Sequence, residues 1–300
     1  MGICNLSRMS SLNKSVSFLT AIALCIWIVS TSATHAQSGQ KQYPGTVLVA
    51  NVVGKAEATR AGSNSSRSLK KRDTISEKDI VNVGDASTAT LVFSNGATVK
   101  LLENTSLEIS KFLQAPFSTP FAMPIATEEP TTSSTEMKLN KGEVVCKVKK
   151  LRTAEGSYLT VNTPVGAAGV RGTTFSVSYS PAADGGQGTY TLSVTEGSVE
   201  MTDANGNPTT VTAGNEIVIT FTSTTDGDGN TTLTIADVVN QPITPARQLA
   251  INNAANDQEA DNVIFEATDS GLLDAPGFVD AEDGGEDPAA DTPQVTDPNP

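Results

Sequence analysis

The chain holds one histidine, His35, one tryptophan, Trp27, and three cysteines, of which Cys4 and Cys25 share that same N-terminal stretch. Beyond residue 36 there is therefore no histidine, no tryptophan and a single thiol, Cys146. Without histidine most nucleophile–base pairs are excluded, and so is the commonest transition-metal ligand. One thiol excludes an internal disulfide, and Cys146, inside the alternating run EVVCKVK, reads as a small buried hydrophobe on a strand. Aromatic residues make up only 5% of the chain, and no lysine or arginine follows Arg247.

That last absence divides the charge. The net charge of −13 is carried by the end of the chain, because residues 37–247 hold 18 basic against 20 acidic residues, whereas 248–300 hold 13 acidic and none basic. Residues 269–300 are Pro, Gly, Ala and acid, a composition too poor in apolar side chains to offset chain entropy, so a disordered acidic tail is expected there. No nucleic-acid footprint is visible in so acidic a chain.

What is present begins with an address label. Arg8 and Lys14 precede an apolar run at 16–29 and a small-residue end at Thr34-His35-Ala36, the pattern of a secretory signal peptide cleaved after Ala36. The run is shorter than the ~20 residues that span a bilayer, so no membrane span is expected after cleavage. Leu24 before Cys25 argues against lipoprotein attachment. The expected location is periplasmic or extracellular.

From 46 to 235 short runs rich in Val, Thr and Ile alternate apolar with polar, and turn signals recur without helices between them. An all-β fold follows, an antiparallel sandwich or rolled sheet. Ser94-Asn95-Gly96 reads as a two-residue hairpin turn with positive φ angles. Residues 37–45 form a polar leader. Pro116, Pro120, Pro124 and Pro130 mark 114–135 as an insertion, whose Phe117, Phe121 and Met123 either face a partner or tuck back onto the sheet. Lys147, Lys149 and Arg152 are expected on an outward strand face, where charge keeps an edge soluble, and Lys70-Lys71-Arg72 in a wet loop. In the extension 236–268, Thr244-Pro245 reads as cap and first residue of a short helix. The acidic loops 226–230 and 203–207 tempt a calcium reading, but Thr231 stands where such a loop needs glycine, so hairpins are the better account. Neither metal nor cofactor is expected.

One stretch is not generic sheet. Residues 163–177, TPVGAAGVRGTTFSV, place Gly166, Gly169 and Gly172 three apart behind Pro164, which predicts a tight bend that resumes as a strand. Arg171, among small apolar neighbours, is expected to clamp the bend by binding carboxylate or carbonyl oxygens. With its flanks VNVGDASTATLVFSNGATVKLLENTSLEI and YTLSVTEGSVEM, the run resembles the signature of the FecR domain family, over roughly residues 47–219. The resemblance implies an exported β-rich domain of the kind found in surface-signalling regulators beside outer-membrane receptors. Those regulators hold a sigma factor through a cytoplasmic helical segment ahead of a membrane span. Only residues 1–15 precede the apolar run here, so that segment is expected to be missing. Some of them cut themselves at a Gly-Thr bond, and Gly172-Thr173 is such a pair; with no histidine to take the proton, Thr173 reads as a strand residue.

The functional expectation is a noncatalytic module that binds a protein or an envelope polymer. A regulator of surface signalling, working with a separate membrane partner, is the second reading. A carboxylate-dependent enzyme is the third, without any acid pair in a recognisable setting.

Overall fold

The computed structural model describes residues 41–183, 186–204, 206–226, 231–266 and the backbone of 278–280. The stretch expected to be a signal peptide, residues 227–230 of the 226–230 loop and most of the acidic tail lie outside the described residues.

The architecture turns on one 15-residue strand, Ser133–Lys147, that belongs to two sheets. Its first part pairs antiparallel with Ser106–Gln114 and parallel with Tyr158–Thr163, while its second part pairs antiparallel with Thr98–Leu101 and Thr174–Ser180. Gly142 makes the change of sheet: its φ is +90°, and a Cβ there would strike Thr105. Only glycine fits a left-handed residue against a neighbouring backbone.

From that strand the first sheet runs outward through Tyr158–Thr163, Gly166–Val170, Ser198–Asp203 and Pro208–Thr212 on one side, and through Ser106–Gln114, Asp79–Val83, Ala56–Arg60 and Ser66–Ser68 on the other. The second runs through Thr174–Ser180, Gln187–Glu196, Asn215–Thr225 and Thr231–Pro242, and through Thr98–Leu101, Thr88–Phe93, Val47–Val53 and Thr74–Ile75. Alternation puts Val49, Leu91, Leu107, Met137, Val161, Phe175, Tyr190 and Phe221 in one core between the layers, each fully buried. Cys146 is in this core, and burial pushes its thiol pKa up, so it behaves as packing and not as a nucleophile.

The all-β sandwich read from periodicity is thus present, with one parallel pair inside it. A parallel neighbour needs a long return path. Here the path is 142–157, which visits the second sheet before coming back.

Several boundaries differ from the sequence reading. The hairpin at 94–96 has three loop residues: Gly96 N–H donates to Phe93 O (2.8 Å), and only Gly96 of the loop has positive φ. Asn95 is instead fully buried and spends its amide on the fold. The insertion is narrower than 114–135, since Gln114 ends one strand and Ser133 starts the next. The strand Thr231–Pro242 runs across the expected domain end at 235.

The extension is structural. Helix Pro245–Ala255 starts as expected, with Thr244 Oγ1 accepting from Arg247 N–H, and lays Ile251 and Ala255 on Val145. Behind it Val263–Phe265 pairs with Phe121–Ala122 of the insertion and with Phe278–Asp280, inside the segment expected to be disordered. Phe117, Phe121 and Met123 tuck in against Leu48, Val92, Val263 and Phe265. Polar pins hold this layer: Arg247 donates to Glu143 (2.6 Å), and Thr90 Oγ1 donates to Asp257 (2.6 Å). Lys147 pairs with Asp261 and Lys149 donates to Met123 O, so the lysine face expected to be bare is covered. Lys71, expected in a wet loop, pairs with Glu259. No helix among the described residues is long and apolar enough to cross a membrane.

Candidate functional site

The glycine-rich run is a hairpin followed by a corner. Pro164 and Val165 make the turn between Tyr158–Thr163 and Gly166–Val170, fastened by Gly166 N–H donating to Thr163 Oγ1 (3.3 Å), whose hydroxyl donates to Gly166 O (3.0 Å). Gly166 carries no side chain because one would run into Thr202 O of the next strand. At residues 171–173 the chain leaves the first sheet and enters the second. Gly172 has φ +130°, with its Cα against the Lys150 backbone, which leaves room for hydrogen alone.

Arg171 does not clamp this corner. It is exposed, and its guanidinium has no hydrogen bond or ion pair among the described residues. The corner is held by main chain: Leu151 N–H donates to Arg171 O (3.1 Å) and Val148 N–H to Thr173 O (2.9 Å). The expectation failed because position 171 lies just past Val170 on the outward face, where a guanidinium stays hydrated at little cost. Thr173 is buried one residue before the strand Thr174–Ser180, and among the described residues its hydroxyl has no partner to take a proton.

The residues brought together as a site are others. The insertion folds into a cleft of about 720 Å³, lined by its own residues from Pro116 to Thr131 and by Arg152. Its wall carries Glu129, 1% exposed, whose carboxylate accepts from Arg152 N–H (2.6 Å) and from Ser133 Oγ (2.6 Å). Ser133 Oγ in turn accepts from Asn95 Nδ2 (3.0 Å), which also donates to Thr135 Oγ1 (3.1 Å). Arg152 returns through Nε to Glu129 O and reaches Glu128 and Glu155. Ile125 stands at the lip, 83% exposed. Sequence reasoning missed Glu129 because an acid between prolines reads as solvated. The alternation resuming at Ser133 was the available signal, since it brings residue 129 back against the sheet.

Burial pushes the Glu129 carboxyl above its ordinary value of 4.5, against the pull of the Ser133 and Ser157 hydroxyls and of Arg152. The folded chain therefore holds this proton to higher pH than the unfolded chain does. The contribution is most favourable below the ordinary carboxylate range and is lost as pH rises through the raised value. Glu129→Gln, which cannot ionise, is expected to remove that slope. Denaturant unfolding of both proteins from acid to neutral pH is the check, and parallel curves would show that Glu129 titrates normally.

Among the described residues no group of three or more His, Cys, Asp or Glu could hold a metal ion. In the 203–207 loop Asp203 accepts from Asn207 N–H (2.8 Å) and Nδ2 (2.9 Å), an ordinary turn contact.

A two-layer strand body crossed by a glycine corner defines a class of β modules that present loops on a rigid frame. Residues 79–200 match the family model described as FecR protein. The match is narrower than the 47–219 read from the sequence. Two crystal structures of a candidate anti-sigma factor from Parabacteroides distasonis, at 1.65 and 2.50 Å, are similar at 16% identity with TM-scores of 0.34 and 0.35. The matched part covers 53% of this chain and 60% of that protein, so the chain spans less than two thirds of its length. No curated protein matches the chain.

Proposed function

We propose that this protein is an exported, noncatalytic regulator module of the cell envelope, which binds a protein partner through the cleft of residues 116–131. The cleft carries the reading. It joins an exposed aliphatic lip, Ile125, to Arg152, beside a buried carboxylate already satisfied by Ser133 and Arg152. Such a mix of apolar anchor and held charge suits recognition, whereas a carboxylate engaged on both oxygens is poorly placed to move protons for a substrate. The FecR match supports a signalling role, and the anti-sigma description of the similar structures agrees with it.

The test is a photo-crosslinking residue at Ile125 in producing cells, with the exposed Lys55 as control position. One discrete adduct from position 125 and none from 55 is expected; equal or absent labelling sinks the reading. Export is tested on the same protein, recovered from periplasm or medium, by its intact mass. A single species starting at Gln37 is expected. Absence of the protein from both fractions contradicts export, a species starting at Met1 contradicts cleavage after Ala36, and one starting at Thr173 would reveal self-cleavage.

A further inference from the structure

The outward face of the first sheet carries a trough independent of the cleft. The middle strand Gly166–Val170 is flanked by Tyr158–Thr163 and Ser198–Asp203, and register aligns Thr160, Gly169 and Glu200 in one row and Asn162, Ala167 and Thr202 in the next. The alternate residues Val161, Ala168 and Met201 are buried in the core, so both rows face outward. On the middle strand those rows offer only a hydrogen and a methyl, while both neighbours carry longer side chains. The middle strand is thus a floor between two walls, set about 10 Å apart, two strand spacings. At one end a cavity of about 450 Å³ is lined by Tyr158, Gly169, Arg171 and Glu200.

Arg171 and Glu200 are both exposed, and neither side chain has a hydrogen bond or ion pair among the described residues. Beside the trough Lys111 Nζ donates to Tyr158 OH (2.7 Å), which donates to Glu136 (2.7 Å), so that charge is spent internally. The trough therefore presents one free guanidinium and, about 7 Å further along the strand, one free carboxylate. A peptide would bind a sheet by pairing with an open edge, but this floor strand is already paired on both sides. Recognition must come from side chains.

We propose that the trough binds a single chain of an acidic polysaccharide. The carboxylate of one sugar sits on Arg171 in the two-pronged geometry that guanidinium favours, and hydroxyls of the next are accepted by Glu200 and Thr160. Gly169 lets the sugar ring lie against the backbone.

Electrophoresis of the full chain through gels containing polygalacturonate, alginate or hyaluronate tests this. Retardation by at least one is expected, with Arg171→Gln about tenfold weaker. Gly169→Leu should abolish it at an unchanged melting temperature, since a Cβ there meets nothing nearer than Glu200 O at 3.5 Å. Retardation by none of the three overturns the proposal, as does a Gly169→Leu protein that binds normally. Competition by poly-L-glutamate as effective as by the retarding glycan overturns it too, because the trough would then be reading charge alone. None of these outcomes touches the cleft at 116–131.

Discussion

A chain ending at Pro242 is expected to lose its cooperative thermal transition. The deletion removes Ile251, Val263 and Phe265, each 1% exposed or less, and strips the cover from Leu48, Val92, Phe117, Phe121, Met123 and Val145. Fully burying one large apolar side chain is worth about 1.5–3 kcal/mol. Counting both the lost residues and the newly bared ones gives on the order of 10 kcal/mol, comparable with the ~5–15 kcal/mol that holds a whole domain together. The pins Arg247–Glu143 and Thr90–Asp257 go as well, leaving Glu143 without its cation. Near-ultraviolet circular dichroism on heating is the measurement. A truncated protein melting sharply within a few degrees of the full chain would mean that the extension is an ornament. Phe265→Ala, a smaller wound in the same layer, should cost about 3–5 kcal/mol.

Asn95→Ala is expected to be the most damaging single polar substitution. The side chain is fully buried, donates to Ser133 Oγ and Thr135 Oγ1, and accepts from Ala97 N–H at 3.1 Å. Truncation orphans polar groups on both sides of the loop, each at about 1–3 kcal/mol, and lowers the melting temperature by about 10 °C. Asn95→Asp separates the two roles of the residue: it still accepts from Ala97 but cannot donate, and it brings a second acid toward the hydroxyl that serves Glu129. It should therefore be no more stable than the alanine variant. If Asn95→Asp melts like wild type, the network is not what holds this loop.

These two expectations mark where the sequence was legible and where it was not. Period-two alternation in 88–114 and 187–222 announces strands, and the glycines at 166 and 172 announce a corner, because those signals are local. Asn95 was legible as a turn residue and no further: its neighbours in space, Ser133 and Thr135, lie beyond the whole insertion. The extension was harder still. Helix Pro245–Ala255 buries only Ile251 and Ala255, too sparse a stripe to say which surface it covers. Arg171 shows the opposite error. Small apolar neighbours suggested burial, yet strand pairing sends alternate residues to opposite faces, and 171 falls on the wet one.

The ribbon 133–147 is common property of both layers, so neither layer can melt by itself. A pull on one is handed to the other through Gly142, which works as a fixed elbow. Whatever is gripped at the insertion, just ahead of Ser133, thus acts on a strand that both layers share.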